Sequence, residues 1–431
     1  MSLEAAANAP NPLMIAPFAI MLLSIAFAPF AFKHHWERFY PVVAVALGSI
    51  SVFYYLFVLK KGGRMLDVAH EYASFIALVG SLFVVAGGIH IRVKGRAKPW
   101  VNCLFLLAGA VISNIIGTTG ASMLLIRPWI RMNQPRVTGF HTVFFIFIVS
   151  NVGGCLTPIG DPPLFLGYLK GVPFWWVLEY CWKAWLFGVL GLTAVFYLFD
   201  RKNYRLAQSR TGAHESAMDS WQFSGLFNLV FLAVILVAIF IHEPMGLREV
   251  LMAAAALGSY YLTPRRTHEA NHFTFEPIKE VAWLFLGIFA TMVPALDFLE
   301  IHAKSLGIQS ELQFYWLTGV LSGLLDNAPT YLAFLSTAFG LHSLSFDSSA
   351  DMAYFIASHG HLLGAISLGA VFFGAMTYIG NGPNFMVKAI STQSGVETPE
   401  FVEYILKYAL PVLLPFLFLT GILFFSNWRI F

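Results

Sequence analysis

The 431-residue sequence predicts an all-α polytopic membrane protein. Its expected plan is two inverted repeats of about five transmembrane helices, each with a re-entrant hairpin and a broken helix. Three observations lead there: a composition poor in charge, a series of apolar stretches of spanning length, and a twelve-residue pattern that occurs twice.

Hydrophobic residues make up 58% of the chain and charged residues 11%, whereas soluble domains carry about a quarter charged residues. A formal net charge of +3 gives no basis for a nucleic-acid partner, and the 42 phenylalanines suit lipid-facing and helix-packing surfaces. Cys103, Cys155 and Cys181 fall singly in apolar segments, with neither metal-ligand nor disulfide spacing. No Lys or Arg precedes Lys33, so a basic signal-peptide region is missing and the first apolar stretch is expected to be a retained span.

A bilayer core is crossed by about 20 apolar residues. The first repeat, 1–199, offers spans at 12–32, 39–59 and 72–91. The next apolar stretch, 100–126, is broken by SNIIGTTGAS at 113–122 and is long enough for two half-helices meeting at a polar tip. The span at 139–169 is interrupted by TPIGDPPLF, where Gly and two prolines cannot continue a helix; 174–199 closes the repeat. A polar linker at 200–223 follows. The second repeat, 224–431, has spans at 224–242, 247–263 and 281–300, a hairpin at 312–340 broken by LDNAPTYLA, a broken helix at 352–387 and a last span at 402–426. The total is ten spans and two hairpins.

Charge predicts one orientation. With the 92–99 loop in the cytoplasm, 17 Lys and Arg collect on that side against 7 on the other, which include Lys60, Lys61, Arg64 and Lys170. The linker is then cytoplasmic and both termini lie outside, in the plasma membrane of a bacterium (the inner membrane).

The duplicated pattern explains the broken spans. GCLTPIGDPPLF at 154–165 matches GAMTYIGNGPNF at 374–385 with six identities, and Asp161 faces Asn381 at an offset of 220. Upstream, Ser113-Asn114 matches Asp326-Asn327 at an offset of 213. Five crossings per half is an odd number, so tandem copies insert in opposite directions. Paired discontinuous helices in such repeats mark secondary transporters, with the binding site where the breaks meet. A broken helix leaves free C=O groups at one half and free N–H groups at the other. Those carbonyls, with Asn, Thr and Asp oxygens, replace the water shell of a small, hard cation such as sodium.

The expected ion ligands are Asp161, Asp326, Asn114, Asn327, Asn381, Thr157, Thr377, Thr330 and Thr118. Ser113, Thr119, Asn151 and Asn384 are secondary candidates. Each half contributes one acid, and proton and cation compete for its oxygens, which is what an exchanger needs. Ionisable residues inside a membrane are functional hypotheses by default, whereas a single Thr or Asn is more often a bond between helices. Asp297 and Glu300 read as interfacial, His359 and His361 as a solvated helix end, and His90 and His141 as boundary residues. Arg127 reads as a lipid-phosphate contact or a cap on the hairpin.

The pair SNIIGTT…NVGGCLTPIGDPP and LDNAPT…TYIGNGPN resembles the ion transporter superfamily over nearly the whole chain. Its nearest branches are the NhaD-type sodium/proton antiporters and the related "putative citrate transporter" family. That resemblance implies a scaffold, a mobile domain carrying both hairpins, an elevator-like movement and a homodimer. It places Asn114, Asp161, Asp326, Asn327 and Asn381 around the ion. One departure is clear: dicarboxylate carriers of the superfamily have Ser-Asn-Thr at both tips, where this chain has Ser-Asn-Ile and Asp-Asn-Ala-Pro-Thr. An aspartate beside an anionic substrate is repulsive, and no buried Arg or Lys is evident to offset it.

The expected function is therefore exchange of sodium or lithium for protons, with no cofactor beyond the transported ions. The alternative is a sodium- or proton-coupled symporter of citrate or another di- or tricarboxylate. An enzyme is not expected: G-x-S-x-G does not occur, and HEANH at 268–272, the one match to H-E-x-x-H, sits in the connection between two predicted spans rather than within an apolar helix.

Overall fold

A computed structural model describes residues 10–94, 98–134, 136–211, 220–241 and 243–426. It opens with α1 (Ala16–Ala31), α2 (Lys33–Phe53) and α3 (Gly62–Gly87). Strand β1 (His90–Lys94) leads to α4 (Pro99–Met132), then α5 (Gly139–Ile148), α6 (Pro162–Leu169) and α7 (Trp176–Thr211). Strand β2 (Ser220–Ser224) precedes α8 (Asn228–Ala238), α9 (Leu247–Leu262), α10 (Arg265–Ala270) and α11 (Glu276–His302). The last elements are α12 (Glu311–Leu324), α13 (Asn327–Leu341), α14 (Ser349–Phe373), α15 (Gly382–Gln393), α16 (Phe401–Tyr404) and α17 (Leu414–Phe425).

Eight helices among the described residues are long and apolar enough to cross a membrane, one of them Pro99–Met132. The ten expected spans, two of them broken, are not all single helices of that length, and Pro99–Met132 is the stretch expected as a hairpin. The stretch 224–242 supplies only the 11-residue α8, because Ser220–Ser224 is used as a strand and Gly225 turns the chain at φ +75°. That strand pairs antiparallel with β1, from His90 opposite Ser224 to Lys94 opposite Ser220. The ribbon was not expected; it takes the end of one predicted span and part of the linker. The linker residues 212–219 lie outside the described residues.

The helices sort into two groups by packing. In one, α11 packs on α2 and α3, α9 on α3 and α8, and α1 on α2. In the other, α12 packs on α14, α4 on α7 and α15, and α13 on α6, α12 and α14. The seam between them is formed mainly by α3 against α4 and α11 against α13. Small residues let it close: a Cβ on Gly340 of α13 would lie 1.9 Å from the Glu300 carbonyl oxygen of α11. At the heart of the second group, α5 (GFHTVFFIFI) is apolar all round, and every residue from His141 to Ile148 is buried. A helix without a polar face belongs in an interior rather than at a boundary.

Four chain breaks follow from local chemistry. Within α4, Gly117 stands at φ 77°, ψ 156°, outside the helical region. Only glycine adopts that backbone freely. Between α12 and α13, Leu325 is extended and Asp326 caps the new helix by accepting from the Ala328 amide. α5 ends at Ile148, and α6 begins at Pro162-Pro163, where a missing N–H costs no helical bond. α14 ends at Phe373, and α15 begins at Gly382-Pro383.

Candidate functional site

All four breaks meet at Asp161, which occupies the N-cap position of α6 without a side-chain bond to that helix and is 1% exposed. Its Oδ1 accepts from Thr118 Oγ1 at 2.7 Å and from Asn381 Nδ2 at 2.8 Å; its Oδ2 accepts from Asn327 Nδ2 at 2.6 Å. Thr118 follows the break at Gly117, Asn327 opens α13, and Asn381 stands at the N-cap position of α15. One carboxylate is therefore held by three neutral donors from three separate elements. A buried charge without such partners is prohibitively costly.

A second layer fixes the donors. Asn381 Nδ2 also reaches Asn151 Oδ1 and the Ser150 carbonyl, both at 3.2 Å. Asn151 Nδ2 donates to Asn384 Oδ1 at 2.7 Å, and Asn384 Nδ2 to the carbonyls of Gly374 and Thr377. The two interrupted segments 149–161 and 374–381 are thereby stitched together by amides. Beside Asp161 lies a small cavity of about 30 Å³, lined by Leu82 and Phe83 of α3 and by Gly117, Thr118, Thr119 and Asp161. Asp161 is the one charged residue among those lining it.

The other candidates are placed differently. Asn114 lies in the helix three residues before the break, not at the tip. Its amide donates to the Ala110 and Gly153 carbonyls and its Oδ1 accepts from the Leu156 amide, so both ends are spent. Ser113 donates back to Gly109 and Ala110. The hydroxyls of Thr157 and Thr377 donate to backbone carbonyls of Asn114, at 2.6 Å, and Gly323, at 2.7 Å. Thr330 donates to the Asp326 carbonyl at 2.8 Å. Asp326 is half-buried and precedes the Asn327 that bonds Asp161, so both acids occupy one region.

These bonds correct the pairing of the two hairpins. Because Thr157 contacts Asn114 as Thr377 contacts Gly323, Ser113-Asn114 corresponds to Ser322-Gly323. Gly117-Thr118 then corresponds to Asp326-Asn327, and both Thr118 and Asn327 donate to Asp161. The offset of 213 rested on one shared Asn, whereas the breaks fall at Gly117 and at Leu325-Asp326. The counterpart of Asp326 is a glycine with no side chain, not a neutral oxygen ligand.

Two charged clusters were not legible in the sequence. Asp200, fully buried, accepts from Asn102 at 2.7 Å and His141 at 3.2 Å and pairs with Arg136. Asn102 and Asn133 bond each other at the two ends of α4. At the opposite end, Asp297 accepts from Tyr55 at 2.6 Å and Arg64 at 3.3 Å, and Glu300 from the Phe346 amide at 3.3 Å. These two acids are engaged with the protein rather than standing free at an interface. His359 marks a kink in α14 and stacks on His342 at 3.6 Å, His361 meets the Tyr180 hydroxyl, and His90 contacts Asn271. Arg127 is half-buried.

No curated protein matches the chain. The family model described as "putative citrate transport" matches residues 7–425, nearly the whole length. With the membrane-helical fold, that match points to a transporter rather than an enzyme. The chain belongs to the putative citrate transport family.

Proposed function

We propose that the protein is a secondary active transporter that exchanges sodium or lithium for protons at Asp161. The observation that carries this reading is a fully buried carboxylate served by neutral groups alone, beside a cavity that no Lys or Arg lines. Such a site has negative charge to offer and no positive charge with which to hold a substrate carboxylate. Turning the amides of Asn327 and Asn381 replaces their N–H donors by oxygens, which creates an acceptor shell for a hard cation. A proton on Asp161 would compete with that cation for the same oxygens. Two inverted repeats, each with a hairpin and a broken helix, would let the site face either side by rigid-body movement of one helix group against the other.

A second reading is coupled uptake of citrate or a related carboxylate. The family description favours it. So do the helix N-termini at Pro162, Asn327 and Gly382, whose N–H groups suit an anion. Against it, Asp326 already accepts from the Ala328 amide at the second of these N-termini, and the Asp161 carboxylate stands at the first, where it would repel an anion.

Proteoliposomes carrying a pH-sensitive dye separate the readings. Sodium- or lithium-evoked proton movement without any organic anion is expected. Labelled citrate uptake that requires sodium, with no cation-evoked proton flux in its absence, would overturn the exchange reading in favour of the second.

A further inference from the structure

We propose that Arg64, Lys170 and Asp347 form a charge latch across the seam between the helix groups, closing one end of the molecule in this conformation. The inference rests on the transporter reading but not on the identity of the cargo.

Arg64 stands in the first turn of α3 and bonds Asp297 of α11 at 3.3 Å, inside its own group. The same guanidinium also pairs across the seam with Asp347, in the connection between α13 and α14. Lys170, directly after α6, crosses in the other direction to Glu71 of α3 at 2.7 Å and reaches Asp347 at 3.2 Å. The Phe346 amide, donated to Glu300 of α11, adds a third crossing. Two cations and four carboxylates thus interlock two bodies at one end.

The fastened points are not arbitrary. Lys170 follows the C-terminus of α6, whose N-cap is Asp161; Asp347 follows the C-terminus of α13, whose N-cap is Asp326. α6 has 8 residues, a rod of about 12 Å at 1.5 Å per residue. Neither acid can move far across the seam while the remote ends of these helices stay tied. A transporter must open its site to each side in turn, so these ties must break in the opposite state.

Their burial suits a reversible closure. The side chains of Arg64 and Lys170 are 12% and 6% exposed, and Asp347 is 44% exposed. Closed, the partly desolvated charges satisfy one another. Open, they regain water, which repays much of the lost attraction, because ion pairs near solvent contribute little net stability. The polar cluster at the other end behaves differently. Asp200, Arg136, His141, Asn102 and Asn133 all belong to α4, α5, α7 or the connection after α4, on one side of the seam, and would travel as a unit.

The test measures separation across the seam in the full-length protein in lipid nanodiscs. Spin labels at the exposed positions Leu66 of α3 and Tyr354 of α14 are attached through a bio-orthogonal side chain, so that the three native cysteines stay in place. Glu71→Gln with Asp347→Asn removes two of the seam carboxylates and is expected to raise the population at the longer, open distance about fivefold, the ratio expected for loss of surface-type ion pairs. Asp347→Glu keeps the charge and should retain the parental distribution. A parental distribution in the folded double variant overturns the latch. Should that variant fail to fold, the unaltered protein is measured from about 0.05 to 1 M salt, over which screening should populate the open distance; an unchanged distribution overturns the latch as well. Proton flux in liposomes is read separately, so a cargo error leaves the distance result standing.

Discussion

The side-chain amide of Asn381 donates to the carboxylate of Asp161 at 2.8 Å. These residues occupy matching positions in the two copies of the duplicated pattern, 220 residues apart, each at the N-cap position of the helix after a break. In one copy the cap position carries charge, and in the other it supplies a donor to that charge. The symmetry of the motif and the asymmetry of the two residues together produce a single acid with partners from both halves.

If Asp161 holds the cation, sodium stabilises the folded protein. At a concentration about a hundred times its dissociation constant, a ligand adds about 2.7 kcal/mol. The expected result is a sodium-dependent rise in melting temperature that Asp161→Asn removes, with the variant still eluting as a folded species. Because protons compete for the carboxylate, the sodium effect should weaken as pH falls. A rise that persists in Asp161→Asn would move the ion elsewhere.

Gly160→Ala should prevent correct folding of the break between α5 and α6. A Cβ there would meet the Gly154 carbonyl oxygen at 2.0 Å, backbone against backbone, with no flexible side chain to yield. A loss of at least about 1–3 kcal/mol is expected from such overpacking. Gly382→Ala, where a Cβ meets nothing within 4 Å, is the control and should melt like the parent. Comparing the two melting curves decides the point.

Thr157→Val and Thr377→Val should behave alike. Each removes one hydroxyl bond to a hairpin carbonyl, at 2.6 and 2.7 Å, at a cost of about 1–3 kcal/mol for the buried acceptor left behind. Stability should fall by similar amounts in both, with little change in apparent sodium affinity. A selective loss of affinity in Thr157→Val would return that hydroxyl to the ion's shell.

Removing the carboxylate of Asp200 should be among the most damaging single changes outside the site. Asp200→Leu leaves Arg136 without its buried counter-charge and takes a bond from both Asn102 and His141, a loss of about 3–5 kcal/mol. Arg136→Leu combined with Asp200→Leu should recover part of that, because no lone charge remains. Thermal unfolding in detergent of the two variants measures the difference.

Much of this protein is written in its residue order. Sparse charge and long apolar stretches require a membrane, since such a chain cannot cover itself with polar surface. Gly117, Pro162-Pro163 and Gly382-Pro383 impose breaks through covalent geometry, which depends on neighbours in the chain and so can be read locally. The duplicated Thr-x-Ile-Gly pattern singles out Asp161 and Asn381 before any coordinates.

What only the tertiary structure decides is which partner each polar group finds. Asn114 and Thr157 carry the same chemistry as Asn327 and Thr118, yet the first pair is spent on backbone carbonyls and amides while the second reaches Asp161. Asp200 with Arg136, and Arg64 with Asp347, are separated by dozens to hundreds of residues and meet through helix packing. Hydrogen bonds and ion pairs reach only about 3–4 Å, so their assignment waits on a fold that brings distant segments within that range.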